Sequence, residues 1–497
     1  LTKLVAQSPT RALVHASREE LASLARQLVY TDKDAVHALQ RHKLNKRWRQ
    51  SDEDSWLARA EEIKSQITVS LIHPSEEGPW TRPGVVPWIK GVELDKSAIV
   101  YPKPRPFPWR KKLPFELHPY QSSSIAKLLA EKHGNVELTT GAGKTAILIV
   151  IARELGLPTV AVAPSIPIFE ELHRKFVEHF GQQNVGAFGD GKKQIGRTFT
   201  VCVAKSLSNL KPGTKEWEFF QKTSVMLVDE SHTWGANLLE STCHGVLSEV
   251  PYRFFFSGTQ TRADGSELLL RSIIGRTVEK LETWEAVEGG YISKHSFRIA
   301  KVYSHDPTYA VKDPILMKRE HFLRNPNIAQ FIARFGNAVA QTRNENTLVL
   351  VEEVNQIAML AKMLKVPYAI AHSTKDKKEL LEHGLPAVDP TESLEKFNRG
   401  EVKMLIGTRC ISTGSNIYPM HHTFNWQGGS SEVATKQGAV GRSVRLQSQC
   451  PYPWVGPSKE SVTIWDFDVA DIPATEKQLK KRLAFYADSR AEIKRVG

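Results

Sequence analysis

From Leu117 onward, short apolar runs alternate with amphipathic stretches. Residues 158–163, 199–204, 224–228 and 253–257 are each apolar, strand-length and bounded by turn or polar residues. The pattern returns at 346–352, 367–371, 403–408, 422–426 and 461–467. Strands that are apolar along their whole length are buried on both faces. Their alternation with helical stretches predicts parallel sheets covered by helices. Two successive α/β units are expected, joined somewhere between Thr283 and Asp313.

The first stretch of the chain reads differently. Residues 17–28 carry Leu21, Leu24 and Leu28 at helical spacing, with Ser17 placed to cap the first turn. Residues 41–49 form a basic run (Arg41, Lys43, Lys46, Arg47, Arg49) around Trp48. Such a run either engages duplex phosphates and stacks on a base, or is a solvated helix face with one buried Trp. Pro102, Pro104, Pro106, Pro108 and Pro114 then make 101–114 an extended connector, because proline cannot continue a helix. The expected domains are an accessory domain over 1–112, a first α/β domain over 113–290, and a second over 291–497 ending in a helix.

Composition narrows the class. A length of 497 residues fits about three domains. With 41% hydrophobic and 24% charged residues the chain buries real cores. Cys202, Cys243, Cys410 and Cys450 form no CxxC pair, which excludes a disulfide-stapled scaffold and gives no zinc signature. No run approaches the roughly 20 apolar residues of a membrane helix. Residues 1–7 have no signal-peptide core, so a cytoplasmic protein is expected, in the host if phage-encoded. Lys and Arg total 67 against 54 Asp and Glu, and the net charge of +13 favours a polyanionic partner without fixing it.

The strongest local signal is Thr139-Thr140-Gly141-Ala142-Gly143-Lys144-Thr145, running into a helical stretch from Ala146. Small residues let backbone N–H groups wrap a phosphate at a helix N-terminus. Thr140 to Ala146 are the expected ATP-binding residues. Lys144 reaches the β- and γ-phosphates, and Thr145 offers its hydroxyl to Mg²⁺. The pattern is not strict, because Leu138 stands where the first glycine of a P-loop is usual. The apolar run 224–228 then ends in Asp229-Glu230-Ser231-His232. Carboxylates at a strand's C-terminal end suit a ligand site: Asp229 for Mg²⁺, Glu230 for the attacking water.

Together these features resemble a superfamily 2 helicase of the DExH kind, over residues 117–486. Leu117 to Gln121 resembles the adenine-reading motif, with Gln121 on the base edge. Ala161 to Ser165 resembles motif Ia, and Val203 to Leu207 the next strand-contacting motif. Ser257-Gly258-Thr259 resembles motif III, and Leu348 to Val351 motif IV. Ile406 to Gly414 resembles motif V, although Ser415 and Asn416 follow where an acidic residue is usual. Gln437 to Arg445 resembles motif VI, with Gly441, Arg442 and Arg445 in its GRxxR. The resemblance implies two tandem RecA-like parallel-sheet domains behind a smaller mixed α/β or α+β N-terminal domain, with ATP and Mg²⁺ as cofactors. Arg442 and Arg445 become the candidate arginine fingers, a role worth about 10³ in rate or more. His232, Ser257, Thr259 and Gln437 would couple nucleotide to strand. Ser165, Lys205, Thr408 and Thr413 would grip nucleic-acid phosphates.

The Ser-Thr-Gly of 412–414, the Asp-Glu-Ser-His element and residues 481–486 are most similar to the phage UvsW-type branched-DNA helicases, related to RecG and the XPB-like motors. That likeness implies an ATP-dependent DNA helicase or translocase. It would unwind or branch-migrate forked and branched DNA in replication, recombination or repair, as a monomer and away from membranes. Protein partners are not legible. The alternatives are an RNA helicase, distinguished by ATPase stimulation with RNA alone, and the motor subunit of a restriction or defence complex, which needs a nuclease the sequence does not display. His372, His421 and His422 lack a matching ligand cluster and read as packing residues, as do Trp88, Trp109 and Trp284.

Overall fold

The computed structural model describes residues 2–45, 48, 52–109, 116–258, 265–306, 313–408, 417–429, 440–454, 456–470 and 472–497, the side chains of His232, Ala236, Thr374 and Arg442 aside. The chain divides into two compact units, Leu1–Leu138 with Gly143–Lys280, and Thr139–Ala142 with Leu281–Gly497.

The first unit opens with strands β1 (Thr2–Ser8) and β2 (Arg11–His15) as an antiparallel hairpin. Helix Arg18–Gln27 follows, closed at its start by a reciprocal Ser17–Glu20 capping box as the sequence predicts. Strands β3 (Val29–Thr31) and β4 (Thr68–Ser70) pair with each other. Strands β5 (Trp80–Thr81) and β6 (Val92–Asp95) complete a four-stranded sheet in the order β5-β2-β1-β6.

The basic run sits partly on helix Lys33–Leu44, and the Trp48 ring meets His42 edge-on at 4.9 Å, while His42 stacks on Trp56. Lys46, Arg47 and Arg49 lie outside the described residues. Leu4, Ala6, Leu24 and Leu71 share one apolar core with Val162, Met226 and Phe255 of the large sheet that follows. Buried Arg82 adds polar links across the same contact, donating to the Glu240 carboxylate and to His244 Nδ1 (3.3 Å).

That large sheet contains β7 (His133–Leu138), β8 (Thr159–Ala163), β9 (Val185–Gly189), β10 (Lys192–Lys193), β11 (Phe199–Val203), β12 (Val225–Val228), β13 (Tyr252–Ser257) and β14 (Arg276–Leu281). Their order is β10-β9-β11-β8-β12-β13-β7-β14. All pairs from β9 to β7 are parallel. Strands β8, β11, β12 and β13 are buried at every position, which is why the sequence shows them as unbroken apolar runs.

The second unit holds β15 (Lys294–Tyr303), β16 (Thr347–Leu350), β17 (Tyr368–Ala371), β18 (Met404–Gly407), β19 (His422–Asn425), β20 (Ser461–Ala470) and β21 (Ile493–Val496). They form an all-parallel sheet in the order β17-β18-β16-β19-β20-β15-β21. Strand β15 lies inside the stretch where the sequence suggested a joint. Lys294, His295, Arg298 and Lys301 interrupt its apolar pattern, although its ten residues pair along their full length with β20. Helix Pro473–Ala487 is fastened from below: Arg482 grips Asp466 of β20 through two bonds (2.6 and 2.9 Å), and Tyr486 donates to the same carboxylate (2.8 Å). A buried ion pair holds when both partners are fully bonded, and Arg482 also donates to Gly429 O (2.7 Å).

Candidate active site

The phosphate-loop residues leave the C-terminal end of β7 and enter helix Lys144–Leu155. Gly141 and Gly143 take left-handed φ values of +89° and +73°. A Cβ on Gly143 would stand 2.5 Å from Gln121 Nε2, so the loop has no room for a side chain there. Gln121 is buried, accepts the His118 backbone N–H (2.9 Å) and reaches Gly143 O with its amide (3.5 Å). The structure thus brings the expected base-reading residue against the loop.

Lys144 is the first residue of the helix and is almost fully buried. Its Nζ lies 3.3 Å from Glu230 Oε1 and 3.4 Å from Leu138 O. Asp229 and Glu230 follow β12, next but one to β7 in the sheet. The Asp229 N–H donates to Val162 O of β8 (3.0 Å), and its main-chain oxygen accepts Trp234 Nε1 (3.1 Å). Burial, then the adjacent Glu230 charge, pushes the Asp229 carboxyl above its ordinary range, with Lys144 opposing. Glu230 itself holds φ +45°, a left-handed conformation that costs a residue with a Cβ of order 1–3 kcal/mol and clusters at functional sites. Thr145 is half-buried one residue along from Lys144.

These groups fit a nucleoside triphosphate. Gly143 has no Cβ to crowd Gln121, the next residue supplies a buried ammonium, and oxygen donors of Thr145 and Asp229 match a hard cation such as Mg²⁺. Ser257 is fully buried at the end of β13, between the strands that carry Lys144 and Asp229. Ser165 and Lys205 sit beyond β8 and β11, on the other side of β12. Ser165 occupies the N-cap position of helix Ile166–Phe180 without capping it, and Lys205 is exposed in the short helix Ala204–Ser208. One edge of the sheet therefore carries the nucleotide candidates at β7, β13 and β12, then the strand-contact candidates at β8 and β11.

In the second unit, Thr408 follows β18 and donates to Asp376 Oδ2 (2.9 Å), which also accepts the Ser373 N–H. Sequence reasoning missed Asp376, because its role appears only when β17 and β18 lie side by side. Arg445 lies beside the Tyr418 ring at 5.8 Å. Thr259, Thr413 and Gln437, and the side chains of His232 and Arg442, lie outside the described residues. His421 accepts the Asn346 N–H (3.1 Å), and His422 meets Glu345 at 2.7 Å, so both serve packing. Among the described residues no cluster of three or more His, Cys, Asp or Glu is set to hold a metal, and no helix is long and apolar enough to cross a membrane.

Two family models match the chain: the type III restriction enzyme res subunit over residues 114–262, and the helicase conserved C-terminal domain over 329–447. The chain is 22% identical to the DNA 3'-5' translocase XPB2 of Sulfurisphaera tokodaii, over 66% of this chain and 77% of that protein. It is 20% identical to the ATP-dependent DNA helicase uvsW of Enterobacteria phage T4, over 74% and 71%. A fragment of a putative HsdR subunit of a type I restriction enzyme from Vibrio vulnificus shares the fold, with a TM-score of 0.53 and 18% identity over 76% of this chain and 68% of that one. With these two family models in sequence order and these relatives, the chain is a superfamily 2 helicase related to UvsW.

Proposed function

We propose that this protein is an ATP-driven DNA helicase or translocase that remodels forked and branched DNA. The observation that carries the reading is the Lys144–Glu230 contact of 3.3 Å, with Lys144 directly following Gly143 at φ +73°. Membership of the family implies ATP use. Lys144 binds the β- and γ-phosphates, and Glu230 orients the attacking water and takes its proton. A Mg²⁺ ion held through Thr145 and Asp229 would neutralise charge on the transferring phosphoryl group. Arg442 and Arg445 supply guanidinium charge to the same group. Ser165, Lys205, Thr408 and Thr413 hold the strand by its phosphates, a grip that reads no base sequence.

DNA is favoured over RNA by the names of both relatives, each a DNA motor. The UvsW likeness supports branched substrates. The name of the first family model favours a second reading, the motor of a restriction complex. The test is ATPase and strand separation across single-stranded, linear, forked and four-way DNA, with RNA and a nuclease assay alongside. Forked or four-way DNA should give the highest turnover and be unwound without cleavage. Stimulation by RNA alone, or cleavage, would overturn the reading.

A further inference from the structure

The segment carrying Arg442 and Arg445 is held by groups outside every motif. Short helix Gly441–Ser443 ends just before Arg445, so the carbonyls of its last residues have no partner within the helix. Lys459, in the turn before β20, is 6% exposed and points its ammonium into these carbonyls. Its Nζ donates to Ser443 O (2.9 Å), Arg445 O (2.7 Å) and Tyr418 O (3.1 Å). Ser293 closes the remaining gap, its N–H on Val444 O (2.7 Å) and its hydroxyl on Arg445 O (3.0 Å). Thr423 Oγ1 lies 2.7 Å from the Ser443 hydroxyl.

An ammonium has three N–H groups, and here each meets one carbonyl. A buried lysine is costly and would be replaced without loss by Met or Leu if its task were packing. Among the described residues no carboxylate pairs with it. We propose that Lys459 is a positioning residue for ATP hydrolysis: its ammonium, gripping the carbonyls of Tyr418, Ser443 and Arg445, fixes the backbone from which Arg442 and Arg445 act. The inference rests on the proposed role of those arginines.

Titration gives it a second signature. Burial, then the Arg445 guanidinium, lowers the Lys459 ammonium to about 7, with Cys450 opposing; His421 also feels its charge. The cation is present below that pH and is lost as pH rises through it. A neutral amine keeps two N–H groups for three carbonyls.

The experiment compares DNA-stimulated ATP turnover of the full chain with Lys459→Met, Lys459→Arg, Arg442→Ala and Arg445→Ala, each from pH 6 to 9. Lys459→Met should lower kcat about tenfold at pH 6.5 with KM for ATP within twofold, as expected for an interaction made in the transition state. Lys459→Arg, which keeps charge and donors across this range, should retain at least half of kcat and lack the alkaline fall of the wild type. Unchanged turnover in Lys459→Met, or equal loss in both Lys459 variants, would overturn the proposal. If instead Arg445→Ala and Arg442→Ala both turn over ATP normally, the arginine reading itself fails, whatever Lys459 does.

Discussion

The candidate phosphate loop, residues 139–145, and the arginine segment, residues 440–445, are built in opposite ways. The loop carries its function in neighbouring residues: two glycines at positive φ, then the lysine that opens the helix. Its distant partner, Glu230, also stands at a strand end that the sequence marks with an unbroken apolar run. The arginine segment is held by Ser293, Thr423 and Lys459, polar residues scattered over the chain and tied to it by hydrogen bonds. Chemistry that depends on backbone shape is written locally. Chemistry that depends on aiming a long side chain is written across the whole domain.

The largest effect should come from the loop. Lys144→Ala removes the cation facing the phosphates and should cut ATP hydrolysis about 10³-fold, comparable to losing a preorganised transition-state donor. Residual turnover above a tenth of wild type would contradict it. Arg442→Ala should lower kcat about 10²-fold while sparing nucleotide affinity, as for charge needed only in the transition state. A large affinity loss with normal turnover would reject the finger role. Gly143→Ala should act on binding instead. The strained φ costs about 1–3 kcal/mol and the Cβ meets Gln121, so ATP affinity should fall roughly tenfold, read by titration calorimetry.

The same contrast explains what the sequence made legible. Strands β8, β11, β12, β16, β18 and β19 are buried on both faces, and their apolar runs announce them. Strand β15 alternates lysine, arginine and histidine with buried apolar residues, so it reads as a linker although it sits between β20 and β21. Gln121, Lys144, Asp229 and Glu230 are legible as candidates because each belongs to a short motif at a strand or helix end. Asp376, Ser293 and Lys459 are not. Their partners are backbone carbonyls, a hydroxyl and an N–H, groups every residue type can bring, and only the folded sheet order shows which ones meet. The N-terminal basic run is visible as charge, yet the Trp48 ring meets His42 edge-on, a contact set by helix packing rather than by charge pattern.

The central claim is that Glu230, held against Lys144, activates water for ATP hydrolysis. Glu230→Gln keeps the side chain's size and removes its basicity. Hydrolysis measured with forked DNA, beside equilibrium binding of ATP to the same variant, tests the claim directly. The account predicts turnover lowered by about 10²–10⁴ with ATP affinity within a few fold of wild type. Turnover at the wild-type rate would contradict it.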